Sequence, residues 1–293
     1  MTASRSYRVT GPSGLDHSAL PMTLWRKAKK LGIWDPLDID LQQDRADWQR
    51  LDPLEREVLL HLTSLFAAGE ESVTVDLLPL IATIAAEGRL EEEMYLTSFL
   101  WEEAKHVEAF RRFLDEVAQE GSELARFHSS SYQALFGDAL PEALQRLRHD
   151  PSPTAQAEAS VTYNMIVEGV LAETGYHAYH AMLERNGILP GMQQIIALLK
   201  RDESRHIAYG VFLLSRLVAE HGEPVWEAIQ HRMGELMPLA IGTIGEIFAA
   251  YDEMPFGLVL DDFVGFATSQ FESRFARLER ARSQTLEEIT RGR

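Results

Sequence analysis

The chain has 293 residues, 45% hydrophobic and 25% charged, a globular composition with length enough for one large core. Its formal net charge of −17 argues against nucleic acid or anionic membranes as partners, and carboxylates bound to cations would make the effective charge less negative. Zero cysteines exclude disulfides and thiolate-held metals, and with neither a long uncharged apolar stretch nor a secretory leader the expectation is a cytoplasmic protein.

Strand signals are nearly absent. The first 50 residues read as irregular, broken by Pro12, Gly14, Pro21 and Pro36, with one short helix around residues 22–32. Regular structure begins at Asp52, a natural N-cap, with Pro53 at the first helical position. Leu54, Val58, Leu59, Leu62, Leu65 and Phe66 then recur at helical spacing, and this helix is expected to run to Leu78, where Pro79 interrupts or kinks it. A second helix spans residues 90–119, and a loop-rich region covers 122–154. A third opens at Ser152 and Pro153 and closes at Gly187; a fourth runs from about Gly191 to Gly222. Two further helices, about 223–250 and 258–287, complete an all-α chain. The central helices are about 25–35 residues each, so roughly 40–50 Å long, which suggests a compact bundle. One domain is expected, with the bundle over about 53–220 and extra helices after it.

Two pairs with Glu-x-x-His spacing stand on alternate long helices: Glu103 with His106, and Glu203 with His206. Residues i and i+3 share a helix face, so a carboxylate and an imidazole there can converge on one ion. With 30 glutamates and 10 histidines, chance alone supplies about one such pair, so two are weak evidence by themselves. Their context is stronger. Each pair is preceded, on the helix before it, by a glutamate in apolar or small-residue surroundings: Glu70 in "LFAAGEESVTVDLL" and Glu168 in "NMIVEGVLAET". The order Glu, Glu-x-x-His, Glu, Glu-x-x-His over four helices is the ligand inventory of a dinuclear carboxylate bundle. Four carboxylates and two neutral imidazoles suit two divalent first-row ions. Core-edge ion pairs, for instance Glu168 with Arg205 or Lys200, would leave the repeated order unexplained. Asp202, next to Glu203, is a candidate to hold a ligand imidazole by its free N–H, or else a solvated surface acid. His177 and His180 read as core-edge or surface groups, and Met94, Met165 and Met182 as packing.

The pattern resembles the ferritin-like oxygen-activating proteins, specifically the ribonucleotide reductase small-subunit group. The ligand register and the "DExxH" at Asp202–His206 carry this likeness over about residues 55–215. Within that group the chain looks most like the ligand-binding oxidases. The resemblance implies a ferritin-like four-helix bundle core with additional helices and ligands Glu70, Glu103, His106, Glu168, Glu203 and His206; it also selects Glu70 over Glu71. It further implies one Mn and one Fe ion per chain (or two Fe), O₂ as oxidant, a long-chain fatty acid or similar hydrophobic carboxylate as ligand, and a homodimer. Such oxidases carry a valine–tyrosine ether cross-link. The valine lies three residues after the first glutamate ligand and the tyrosine five before the third, which are Val73 and Tyr163 here.

Two departures from a reductase subunit point the same way. The position of that family's radical tyrosine, four residues after the first histidine ligand, is Phe110, and the last tyrosine is Tyr251, which leaves no tail tyrosine to relay a radical. The expected reaction is a two-electron oxidation that removes hydrogen from Val73 Cβ and joins it to the Tyr163 oxygen. Alternatives are a Mn/Fe reductase small subunit, another di-iron oxygenase or acyl desaturase, and a ferritin-like metal-storage bundle.

Overall fold

The computed structural model describes residues 7–12, 14–121 and 123–292, and no strand occurs among them. Of two α-helices in the N-terminal stretch, the first is the short helix expected around residues 22–32 and the second falls where irregular chain was expected. Helix α1 (Leu20–Leu31) has Pro21 in its first turn, where a missing N–H is harmless, so that proline starts a helix and does not break one. Helix α2 (Gln42–Trp48) buries only Asp44, Asp47 and Trp48, so no apolar period announces it. Helix α3 (Pro53–Asp76) opens with a capping box between Asp52 and Glu55. Helix α4 (Leu78–Ala86) starts afresh after Leu77, with Pro79 in its first turn.

Helix α5 (Leu90–Phe113) passes into a π-helical turn at Leu114–Ala118. The region 122–154 is not the loop expected. It holds α6 (Ser130–Tyr132), a π-helical stretch Gln133–Ala139 and α7 (Leu140–Arg146). Gly137 and Pro141 punctuate it like a loop, yet Leu135, Leu140 and Leu144 are fully buried and hold it against the bundle.

The expected third helix is α8 (Pro153–Ser160), capped by Ser152, followed by a π-helical segment Val161–Ala172, α9 (Glu173–Tyr179) and a π turn His180–Glu184. Then come α10 (Pro190–His221), α11 (Glu223–Ala249), α12 (Leu260–Ala281) and α13 (Leu286–Thr290). Leu189, at positive φ, turns the chain into α10. The first amides of that helix are satisfied from α2, where Asp44 accepts from Gly191 and Met192 at 2.8 and 2.7 Å.

The apolar core is divided into two layers. One holds Val58–Phe66 of α3, Ala109–Phe113 of α5, Tyr176 and Tyr179, and Ile195–Leu199 of α10. The other holds Val73 and Leu77, Tyr95–Phe99, Val161–Val170 and Tyr209–Val218. Glu70, Glu103 and His106, and Glu203 and His206 fall on each helix between the two layers. Helices α3 and α10 run from the first layer to the second, and α5 and the π segment with α9 from the second to the first, so the polar turns of α3, α5 and α10 meet at one level, with Glu168 of the π segment beside them.

Candidate metal centre

Ligand atoms of Glu70, Glu103, His106 and Glu203 lie within 4.8 Å of one another, and so do those of Glu103, Glu168, Glu203 and His206. Glu103 and Glu203 belong to both groups. All six side chains are buried, each at most 7% exposed. Glu71, by contrast, is exposed.

Both imidazoles turn Nδ1 toward the carboxylates. His106 Nδ1 is 3.4 Å from Glu70 and 3.2 Å from Glu203; His206 Nδ1 is 2.9 Å from Glu103 and 3.6 Å from Glu168. The outer nitrogens are held crosswise. Glu102 of α5 meets His206 Nε2 of α10 at 2.9 Å, and Asp202 of α10 faces His106 Nε2 of α5 at 3.5 Å. Arg205 ties the two supporting acids together, at 2.6 Å from each. It is therefore not the partner of Glu168, whose Oε2 accepts instead from Asn164 at 2.9 Å. Trp34 Nε1 and Lys105 Nζ also donate to Asp202, at 2.7 and 3.0 Å.

Glu102 escaped the sequence reading although a signal was present. An acid immediately precedes the glutamate of each Glu-x-x-His pair, Glu102 before Glu103 as Asp202 before Glu203. Asn164, Lys105 and Trp34 had no such signal, because each reaches the centre through packing.

Burial pushes the Glu70 carboxyl well up, with His106 opposing. Burial likewise raises Glu168 to about 8, helped by the charges of Glu203 and Glu103. Burial acts on Glu103 too, but both imidazoles outweigh it and hold that carboxyl below the usual range. Burial alone would lower His106 and His206; Glu70 for the first and Glu203 for the second, with their neighbours, raise both well above the ordinary imidazole value. The site thus draws protons onto a set of donors that a cation would displace them from. Three buried atoms aimed inward, Glu103 Oε2, His106 Nδ1 and Glu168 Oε1, have no hydrogen-bond partner. Orphan oxygens and a nitrogen on a mixed carboxylate–imidazole set fit divalent first-row ions.

A cavity of about 990 Å³, counted with its open mouth, rises from this cluster. Glu70, Glu103, Glu168 and Glu203 form its polar end, and its walls are mainly apolar, among them Phe66, Val73, Leu171, Ile244 and Phe248. Gly175 keeps the wall open: a Cβ there would lie 2.3 Å from the Phe66 ring.

Residues 21–260 match the family model described as ribonucleotide reductase, small chain. The chain belongs to the ribonucleotide reductase small chain family. Among solved structures it is similar to an R2-like ligand-binding oxidase with aerobically reconstituted Mn/Fe cofactor, at 36% identity and TM-score 0.89, over 94% of this chain and 98% of that one. Variants of such an oxidase match equally well. One has tyrosine replaced by phenylalanine and another valine by leucine, each at 37% identity and TM-score 0.87, over 94% and 98% of the two chains. The all-α, ferritin-like architecture of the small chain family is therefore the fold of this protein.

The other singled-out residues have plain places in that family fold. Tyr163 is fully buried and donates to Glu103 Oε1 at 3.1 Å. Val73, 4% exposed, is one turn after Glu70 on α3. Phe110 stacks on Phe66 at 5.3 Å, and Tyr251 meets His61 Nδ1 at 2.9 Å. His177 stacks on Phe266 at 4.5 Å and His180 is exposed beside Glu184. Met165 and Met182 are buried packing groups, and Met94 is half-buried.

Proposed function

We propose that this chain is a dinuclear Mn/Fe oxidase that takes a long-chain fatty acid or similar hydrophobic carboxylate into its cavity and joins Val73 to Tyr163 through an ether bond. The observation that carries this reading is the pair of buried, overlapping donor groups sharing Glu103 and Glu203 at the closed end of an apolar cavity. One ion would be held by Glu70, Glu103, His106 and Glu203, the other by Glu103, Glu168, Glu203 and His206. When bound, the ions supply a two-electron oxidation with O₂ as acceptor.

The chain's own residues do the rest. Glu102 and Asp202 hold the outer imidazole nitrogens, and so aim Nδ1 of His206 and His106 inward. Burial keeps the Tyr163 phenol protonated, and its hydrogen bond to Glu103 Oε1 orients the phenol oxygen; the proton leaves with the reduced O₂ when the C–O bond forms. Val73 loses the hydrogen on Cβ, Tyr163 loses the phenolic hydrogen, and two electrons pass to the oxidant. Val73 is 4% exposed and lies on the apolar wall of the cavity, one turn from Glu70, which places that carbon beside the donors. Four carboxylates alone would repel a carboxylate ligand, so the cations are also what makes its headgroup welcome, while the apolar walls take the tail.

Intact-mass measurement tests the reading. Aerobic loading with Mn(II) and Fe(II) is expected to remove two hydrogens from the wild-type chain and none from Tyr163→Phe. An unchanged wild-type mass at full metal occupancy would overturn the cross-link. Phe110 stands where the reductase-subunit alternative usually has its radical tyrosine.

A further inference from the structure

The apolar cavity has one stretch of wall that no helix provides. Of its lining residues, all but Met254 and Leu258 sit in helical segments, and two of those segments, α3 and the π segment, carry Glu70 and Glu168. Met254 and Leu258 belong to residues 251–259, which join α11 to α12. Parting α3 from the π segment to admit a ligand would disperse the metal donors. Moving residues 251–259 leaves all six in place.

Little holds that connection down. Met254, Phe256 and Leu258 pack, half-buried, on the apolar layer that contains Val58–Phe66. Among the described residues one hydrogen bond ties it to an element other than its flanking helices: Tyr251 OH meets His61 Nδ1 of α3 at 2.9 Å. Asp252 and Glu253 are exposed, and among the described residues neither has an ion-pair partner. Phe256 and Gly257 both have positive φ, 61° and 67°, a region that a residue with a Cβ enters only at a cost. Side-chain contacts therefore hold the closed turn against backbone strain. The position suits the far end of the cavity. His61 precedes Glu70 by nine residues on α3, so the Tyr251 contact lies about 14 Å along the helix axis from the carboxylates.

We propose that residues 251–259 are the gate of the cavity, latched by Tyr251 on His61, and that Met254 and Leu258 on its inner side limit the length of the apolar tail. The class of ligand, a carboxylate with an apolar tail, rests on the oxidase reading. Opening breaks one hydrogen bond and lifts three half-buried side chains from α3 and its neighbours. Ligand enters and leaves only while the gate is open. A looser latch therefore multiplies both rates by the same factor and leaves the affinity unchanged. A tail whose head sits among the carboxylates reaches the gate only if it is long.

Stopped-flow fluorescence with cis-parinaric acid, a fluorescent long-chain polyenoic acid, reads both rates on the full chain loaded with Mn(II) and Fe(II) under argon. Tyr251→Phe keeps the ring and removes the latch. It is expected to raise the association and dissociation rate constants together, about fivefold each, with Kd within about twofold of wild type and an unchanged circular dichroism spectrum. Gly257→Ala strains only the closed turn, because a Cβ there meets no atom within 4 Å, and should act in the same way. Met254→Trp should weaken octadecanoic acid at least about tenfold, read by displacement of the probe, and octanoic acid, which ends short of the gate, less than about twofold. Wild-type rates in both latch and turn variants would overturn the gate. So would faster dissociation alone, the mark of a weakened wall. Equal losses for the two acids would overturn the length limit. A wild-type chain that takes up no parinaric acid would remove the ligand from the oxidase reading and the gate with it. Unchanged rates in the variants, by contrast, sink the gate and leave that reading and its mass test intact.

Discussion

Single side chains carry the centre through contacts that the six donors do not make themselves. Glu102 is one of them: it fixes the ring of His206 from the side away from the carboxylates. Glu102→Gln keeps the shape and removes the charge that favours an outward N–H. It is expected to weaken metal binding about 10–100-fold, read by competition with a chelating dye, while secondary structure is unchanged. A second residue makes a test far from the centre. His61 is 4% exposed, stacks on Phe127 at 4.7 Å and is held at about 4 by burial, below the ordinary imidazole value of 6.5. The unfolded chain therefore binds a proton between pH 6.5 and 4 that the folded chain refuses, so this histidine's contribution to stability is present above pH 6.5 and is lost as pH falls toward 4. Between pH 7 and pH 5 the loss is about 2 kcal/mol. His61→Phe preserves the stacking and should remove that part of the pH dependence in urea titrations of the metal-free protein. The difference between the two proteins isolates it from the site carboxyls, of which the raised Glu70 and Glu168 act with the opposite sign and the lowered Glu103 with the same sign.

At the level of elements, the π-helical segment Val161–Ala172 decides how Tyr163 relates to Glu168. In a regular α-helix five residues turn the chain about 140° away from the starting face. A π-helix bonds i to i+5 and brings such residues back toward one side, which removes the conflict that regular helical geometry predicted. The segment is seated by α10. A Cβ on Gly210 would lie 2.2 Å from Asn164 Cβ, and Asn164 is the side chain that holds Glu168. Gly210→Ala is therefore expected to displace Asn164 and loosen Glu168, lowering metal content from about two ions per chain toward one. Elemental analysis after gel filtration measures it, and an unchanged two-ion stoichiometry would show that this contact does not position Glu168.

The whole molecule is organised as two apolar layers with a charged layer between them. Four glutamates and two histidines in that layer are a cost to the fold unless protons or cations compensate them. Two consequences follow for the assembled protein. Metal binding at neutral pH should release protons, seen as a pH change in weakly buffered solution, because Glu70, Glu168, His106 and His206 all hold protons more firmly than usual. Chelation should lower the melting temperature. An ion present at a hundred times its dissociation constant stabilises the folded state by about 2.7 kcal/mol, and differential scanning calorimetry with and without chelator reads that loss. Equal melting temperatures would mean that the charged layer is compensated within the chain.

What was legible in the residues was local. Asp52 with Pro53, Ser152 with Pro153 and the glycines after α9 and α10 mark helix ends, because caps act within one turn. The Glu-x-x-His pairs were legible because i, i+3 spacing on a helix already places donors on one face, and the two lone glutamates because a carboxylate stood in an apolar or small-residue run on the helix before each pair. Helix α2 and the helical part of 122–154 were not, since the first buries acids that serve the distant amides of α10 and the second is held by leucines around a glycine and a proline. Which imidazole each acid supports, Glu102 that of His206 and Asp202 that of His106, the π-helical turn between Tyr163 and Glu168, and the cavity above the carboxylates belong to tertiary structure. Each depends on how far apart two helices pack and in which direction they run, and no short-range pattern along one chain encodes that distance.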